Sequence, residues 1–379
     1  MHYYLIQPND PLIIRSGKPF EEIADAQAAR FPPPSTVAGA LRNIHARSTG
    51  KTLDNALLNL AIAGPLAVKR PLNGEALTEQ HILVPKPADV QYFKPAEKQS
   101  DSKPTHLVRF QPEKFDPGEG CDLPNGLLPL LPESQPEGKP VSGPSWWSFQ
   151  DLLAWRKGEQ ISFDQVTTNG WTPAEPDIRT HIAINDQRRT VETGKIFQTT
   201  GLTMWQKSQQ GITFPDTRIG ILAGIEGEIT LPVLNLGGER RLAEIEACSL
   251  WPKPPGDLVP SIKAAKGFTL TFLTPVLFKN GWLPDWLNND LIGTPPCCQH
   301  LTVRLRAAAL ERWVPQSGWD LVLNQPRAAQ KMIPAGATYW FEIEGDVMDQ
   351  DIHSLWLAHF CDDAQNNRNG FGLALPAAY

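Results

Sequence analysis

No run of apolar residues in this 379-residue chain is long enough to cross a bilayer. The opening MHYYLIQPNDPLIIR has neither a long apolar core nor a cleavage site, so no secretory signal is expected and a cytoplasmic location is. Cysteine is scarce: five residues, an odd count without regular spacing, which argues against a disulfide framework. Cys297, Cys298 and His300 crowd together in PPCCQH, yet no Cys-x-x-Cys pair exists from which four ligands could converge on zinc, and a reduced loop is the plainer reading. There is no Walker-type loop, no HExxH helix and no clustered carboxylate set for Mg²⁺, so no catalytic residue, metal or cofactor is assigned. Net positive charge is missing too, with 35 Lys and Arg against 41 Asp and Glu giving −6. That weighs against coating nucleic acid over the whole surface. It leaves room for a local basic groove, because screening confines exposed charges to roughly 10 Å of influence.

What the chain holds in quantity is proline (36) and glycine (29), which predicts long irregular connections rather than a helical bundle. Its length suits two domains. HYYLIQP reads as a first strand, followed by the loop NDPLIIRSGKPF. A helix then opens at Ser35 or Thr36, either a good N-cap, with Val37, Leu41 and Ile44 as its apolar stripe and Arg42 and His45 off it. LDNALLNLAIAG reads as a second helix ended by Gly64, and LAVKRPL with HILVPKP as hairpin arms. From about Lys94 to Pro144 the chain turns proline-rich and polar, which predicts an inserted excursion, partly disordered. The short helix WWSFQDLLAWRKG follows, with Trp146 and Trp147 suited to an exposed patch for a partner subunit. Strand patterns return in RTHIAIN, KIFQTTGLTMW, RIGILAGIEGEITLPVLNL and RRLAEIEA. After the linker WPKPPGDLVPSIKAAKG come the alternating strands FTLTFLTPVLF and ATYWFEIEG, the helix DIHSLWLAHF, the glycine loop NNRNGFG and a closing strand. VRLRAAALERW is ambiguous between helix and strand. The order of elements fits an α+β protein of two ferredoxin-like (RRM-like, βαββαβ) domains. The first is placed at residues 1–255, enlarged by a proline-rich insertion at about 74–176, and the second at 266–379.

Eight blocks in order, DPLIIRSGKPF, FPPPSTVAGALR, RTHIAINDQRRTVETGKIFQTTGL, NLGGERR, TPVLFKNGWLP, SGWDL, IPAGATYWF and GFGLALP, resemble one family. It is the third-subunit family of the Cmr complex, the type III-B CRISPR effector, within the RAMP superfamily. The blocks cover nearly the whole chain and leave mainly residues from about 74 to 176 unmatched. The resemblance implies a non-catalytic RNA-binding scaffold. Such a subunit holds the 5′ tag of the CRISPR RNA, docks on the large polymerase-like subunit and contacts the first backbone RAMP subunit. It also implies a thumb-like hairpin that wedges between guide nucleotides, for which part of 74–176 is a candidate.

With that resemblance in view, five stretches become candidates for RNA contact. A helix N-terminus presents free N–H groups, so Ser35 and Thr36 cap the helix or bind a phosphate oxygen, with Arg42 and His45 extending one side. The plain alternative makes Ser35 an N-cap and Arg42 a solvated surface arginine. Arg15 and Lys18 flank Ser16-Gly17 and would clamp phosphates, or simply bracket a β-turn. Arg179, His181 and Ala183 share one strand face, Ile182 and Ile184 the other, and Lys195 follows at a turn; cations and rings on an open sheet suit single-stranded RNA. The resemblance suggests an Asp closing this strand, where Asn185 stands. Gly237 and Gly238 with Arg240 and Arg241 offer an anion-binding concavity or a mere hairpin turn. Arg368, Gly370, Phe371 and Gly372 form the superfamily's glycine-rich loop, where main chain would run against RNA and Phe371 would stack or anchor the core.

A second function class is a RAMP endoribonuclease that processes the CRISPR precursor without metal. It would use His45 or His181 as general acid or base, with Lys195 or Arg179 stabilising the transition state. No histidine pair is evident in the sequence. A third class is a structural adaptor that meets only protein.

Overall fold

The computed structural model describes residues 1–14, 29–72, 74–95, 105–116, 118–206, 217–320, 325–326 and 328–379, the side chains of 193–195, 206, 319–320 and 325–326 excepted. The elements used below are, in chain order, β1 (His2–Pro8), α1 (Pro34–Thr49), β2 (Ile62–Pro71), β3 (Ile82–Pro85), β4 (Trp146–Ser148) and α2 (Phe149–Arg156). They continue with β5 (Asp177–Asn185), β6 (Thr190–Leu202), β7 (Thr217–Ile225), β8 (Val233–Asn235), β9 (Leu242–Cys248), β10 (Gly267–Phe272) and β11 (Val303–Ala309). Last come β12 (Val314–Gln316), β13 (Gln330–Met332), β14 (Thr338–Ile343), α3 (Asp349–Leu355), α4 (Ala364–Arg368) and β15 (Ala374–Ala378).

The protein is α+β, built on two principal antiparallel sheets. The first runs β8-β9-β1-β7-β2-β3-β4, and the second runs β11-β14-β10-β15 with Ile292–Gly293 on its edge. β1 is buried on both faces, which explains its unbroken apolar run. Tyr4 and Ile6 turn toward Val37, Leu41 and Ile44 of α1, whereas Leu5 joins Leu66, Val68 and Leu222 under Trp147, Phe149 and Trp155. Leu373 and Leu375, beside and within β15, enter this same cluster, so the two sheets share a core. The second sheet packs Phe268, Leu270, Tyr339 and Phe341 against Ile352 and Leu355 of α3. No helix among the described residues is long and apolar enough to cross a membrane.

Several expectations change. The described part of the proline-rich stretch from Lys94 to Pro144 is not simply an irregular excursion. β3 and β4 extend the first sheet, and a four-stranded sheet runs Leu130–Pro132, His106–Pro112, Val90–Lys94, Lys139–Val141. Leu130 and Ala88 from this region pack on Ala307, Ala309 and Trp340 of the second sheet. Asp89, 1% exposed, accepts two hydrogen bonds from the Arg156 guanidinium at 2.6 and 2.8 Å, and Arg156 also donates to Thr338 Oγ1 at 2.9 Å. Desolvation raises the Asp89 carboxyl, and the Arg156 charge and hydrogen bonds outweigh it, holding the group below the usual carboxylate range. Trp147 is fully buried and Trp146 packs between Phe31 and Trp171, so neither forms an exposed patch. LDNALLNLAIAG gives only a 3₁₀ turn, Asn55–Asn59, before β2 takes in Ile62 and Gly64. VRLRAAALERW resolves as β11, whose buried residues alternate with half-buried ones in a strand's period of two.

Candidate nucleic-acid interface

β5 and β6 pair as a long hairpin whose strand pairing to the rest of the described residues is at Leu12–Ile13, which register with Leu202 and Gly201. Both faces of this arm carry exposed side chains. Ile178, Ile182 and Ile196 stand on one face at 52, 47 and 67% exposure. Arg179 and His181 occupy the other, as the alternation predicts, with His181 stacked on Phe197 at 5.0 Å and 15° between planes. His181 Nε2 meets Thr199 Oγ1 at 2.8 Å. Arg179 donates to Asp177 at 2.9 Å, and that hydrogen bond, followed by the carboxylate's charge, holds the guanidinium above its ordinary range. The backbone of Lys195 lies in β6, and its side chain is outside the described residues.

The arm's base gathers other candidates. Gly238 N–H donates to Ile13 O at 2.7 Å, seating the β8–β9 turn on the segment that anchors the arm. Gly237 has φ +78°, and a Cβ there would lie 2.7 Å from Ile13 O, so glycine is required for both conformation and space. Arg241 reaches Asp10 at 3.5 Å, while Arg240 is exposed at φ +53°. Arg15 and Lys18 lie outside the described residues, in the chain that follows Ile14.

A second group of candidates lies elsewhere, in the seam between the sheets. Arg42 is 5% exposed, and so is neither a solvated arginine nor a cation facing an open groove. Its guanidinium donates to Leu60 O at 2.8 and 3.2 Å, Leu58 O at 3.3 Å, Arg368 O at 3.0 Å and Asn369 Oδ1 at 2.6 Å. His45 is equally buried, with Nδ1 2.8 Å from Glu228 O. Gly370 has φ +93°, and a Cβ there would collide with the Gly64 carbonyl oxygen. Phe371, 2% exposed, anchors the second core, and Gly372 donates to Pro275 O at 2.8 Å. The glycine loop therefore fits main chain against main chain within the protein. Only the Arg368 side chain of this loop is exposed.

α1 begins one residue earlier than expected. Its N-cap is Pro33 and Pro34 occupies the first turn, so Ser35 and Thr36 lie inside the helix rather than capping it. Pro34 has no N–H, and Thr36 N–H donates to Pro33 O at 3.0 Å. Ser35 Oγ accepts from Gln316 Nε2 at 3.1 Å, which ties this first turn to β12.

A model of the family described as CRISPR-associated protein (Cas_Cmr3) matches residues 4–377. The chain belongs to that family. Among solved structures, a chain of a cryo-EM structure of the type III-B Cmr-beta bound to cognate target RNA aligns with a TM-score of 0.50 at 16% identity, covering 98% of this chain and 96% of that one. The fold is thus shared almost end to end. A second, of the type III-B Cmr-beta bound to cognate target RNA and AMPPnP, gives 0.48 at 17% identity over 89% and 86%. No curated protein matches.

Within this Cas_Cmr3 chain the quoted blocks fall into two physical classes. RTHIAIND…TTGL and NLGGERR build the arm and its base, whereas FPPPSTVAGALR and GFGLALP meet in the seam. Sequence reasoning missed the exposed Ile178, Ile196 and Phe197 as features of the arm. Part of the signal was present: adjacent Ile196 and Phe197 put apolar residues on both faces of β6, whereas β5 alternates as a half-buried strand does.

Proposed function

We propose that the chain is a non-catalytic RNA-binding scaffold subunit of a type III-B CRISPR effector complex. It holds the 5′ tag of the CRISPR RNA and docks on the large polymerase-like subunit and the first backbone RAMP subunit. Family membership and the shared fold support the setting. The observation that carries the reading is the arm: isoleucines bared on one face, and a stacked His181–Phe197 pair beside Arg179 on the other. Single-stranded RNA offers apolar base planes and an anionic backbone, and it is held by rings and cations on an open surface. The exposed Arg240 extends that surface at the arm's base. The arm, rather than 74–176, is the better candidate for a wedge between nucleotides.

We read both sheets as ferredoxin-like. β9-β1-β7-β2 and β15-β10-β14-β11 each follow the spatial order 4-1-3-2 of that unit. The first unit keeps its first helix, α1, and the second keeps its second, α3.

The test is filter binding of tag-bearing single-stranded RNA at two salt concentrations. Replacing Ile182 and Phe197 together with Asp should weaken binding by the ~1–3 kcal/mol expected per stacked base, at an unchanged melting temperature. Unchanged binding refutes the arm as the RNA surface. Metal-independent, site-specific cleavage of repeat RNA that disappears in His181→Ala refutes the non-catalytic assignment in favour of the endoribonuclease.

A further inference from the structure

Eleven of the twelve tryptophans have described side chains, and ten of these are buried or half-buried. Trp313 is the exception at 48% exposure. It directly precedes β12, which pairs with β13 in the register Val314↔Met332, Pro315↔Lys331, Gln316↔Gln330. Strand alternation divides this hairpin into two faces. Met332 is buried in the second core and Gln316 bonds to Ser35 at the start of α1, so that face is anchored to the body. Trp313, Pro315 and Lys331 fall on the opposite face. Lys331 Nζ sits 5.3 Å from the Trp313 ring centroid, and Arg312 is exposed next to it; Glu311 is the acidic neighbour.

We infer that Trp313, flanked by Lys331 and Arg312, is a stacking platform for one base of a single-stranded RNA, a second point of grip that rests on the RNA-binding reading above. The indole face away from Lys331 gives a flat plane for a base of any sequence, and Lys331 over the other face with Arg312 alongside matches the adjoining phosphates. The anchored face of the hairpin holds the platform fixed. Pro315 offers no N–H on the same strand, which disfavours a protein partner adding a strand there.

The experiment uses the full chain and a tag-bearing single-stranded RNA, together with a series in which each nucleotide in turn is abasic. Wild-type protein should lose about 5- to 150-fold in affinity at one abasic position on the Trp313 account, the equivalent of one stacked base. Trp313→Ala should weaken intact RNA by a similar factor and show no further loss at that position, while Trp313→Phe keeps most of the affinity and the coupling. Lys331→Met should lower the salt slope by about 0.7, one phosphate on a single strand. Wild-type binding with Trp313→Ala equal to it, or with the same penalty at every abasic position, overturns the platform and leaves the RNA-binding reading standing. No binding by wild type overturns both. Intact RNA binding by Trp313→Ala with failure to assemble with other subunits identifies a protein contact instead, and overturns the platform.

Discussion

Replacing Arg42 with Met separates two incompatible roles for this residue. The guanidinium feeds four acceptors in the seam, and two of them, Leu58 O and Asn369 Oδ1, also receive Gln365 Nε2 at 3.0 and 3.2 Å. Leu60 O and Arg368 O have no second donor among the described residues. Both bonds are part-buried, so at about 1 kcal/mol for each lost hydrogen bond the two carbonyls put the loss at about 2 kcal/mol. That is a large share of the roughly 5–15 kcal/mol by which a folded domain is stable. Urea unfolding followed by tryptophan fluorescence measures the loss. Hydrogen exchange should show it as faster exchange in segments 58–65 and 365–373. Arg42→Lys should fall in between, since one ammonium cannot reproduce a planar fork aimed at both strand and loop. RNA binding by the folded fraction should keep its salt slope. If Arg42→Met instead melts like wild type and lowers the slope by about 0.7, Arg42 contacts phosphate and the seam assignment is wrong.

Three further outcomes are expected. The Asp89 carboxyl is held below its ordinary range, so its contribution is complete above the unfolded value of about 3.9 and is lost as pH falls through the lower folded value. Wild-type urea midpoints should therefore drop below about pH 4, and Asp89→Asn, about 3–5 kcal/mol weaker at pH 7, should show a flatter acid limb; parallel curves count against the pair. Gly370→Ala should destabilise by at least about 1–3 kcal/mol, because it adds both a disfavoured φ and a collision with Gly64; a wild-type melt means the loop can shift. Ile178→Ser with Ile196→Ser on the arm should leave the unfolding free energy within about 1 kcal/mol of wild type, since both side chains already face water, and a large loss would show that the arm packs against the body.

Strand identity was largely legible because it depends on local alternation. Phe268 and Leu270, or Tyr339 and Phe341, repeat with period two, and the structure pairs those very strands as neighbours. The helix at residue 34 was legible to within a residue, the error arising because Pro34 at the first position does what a capping serine otherwise signals. The stretch from Lys94 to Pro144 was read as mainly irregular because its order is tertiary. Proline-rich turns conceal short strands whose partners are distant, as with Phe93 and Pro140, and whose stability comes from packing rather than propensity. Arg42 was misjudged for a related reason. Helical spacing placed it off the apolar stripe, but a flank facing water and a flank facing backbone carbonyls look the same in one sequence. Its decisive partner, Asn369, is 327 residues away.

The allocation of cations constrains how such a chain holds RNA. Arg42 serves carbonyls in the seam, Arg156 a buried carboxylate and Arg241 Asp10, whereas Arg179, Arg188, Arg189, Arg240 and Arg368 are the exposed arginines among the described residues of the candidate blocks. Even Arg179 shares its guanidinium with Asp177. On the RNA-binding reading, five exposed arginines on a molecule of net charge −6 give counterion release a part of the affinity. The remainder has to come from surfaces that take base planes, and the arm bears apolar and aromatic residues on both faces. Affinity built this way declines shallowly with salt and steeply with the loss of a ring, the reverse of a protein that grips mainly the phosphate backbone.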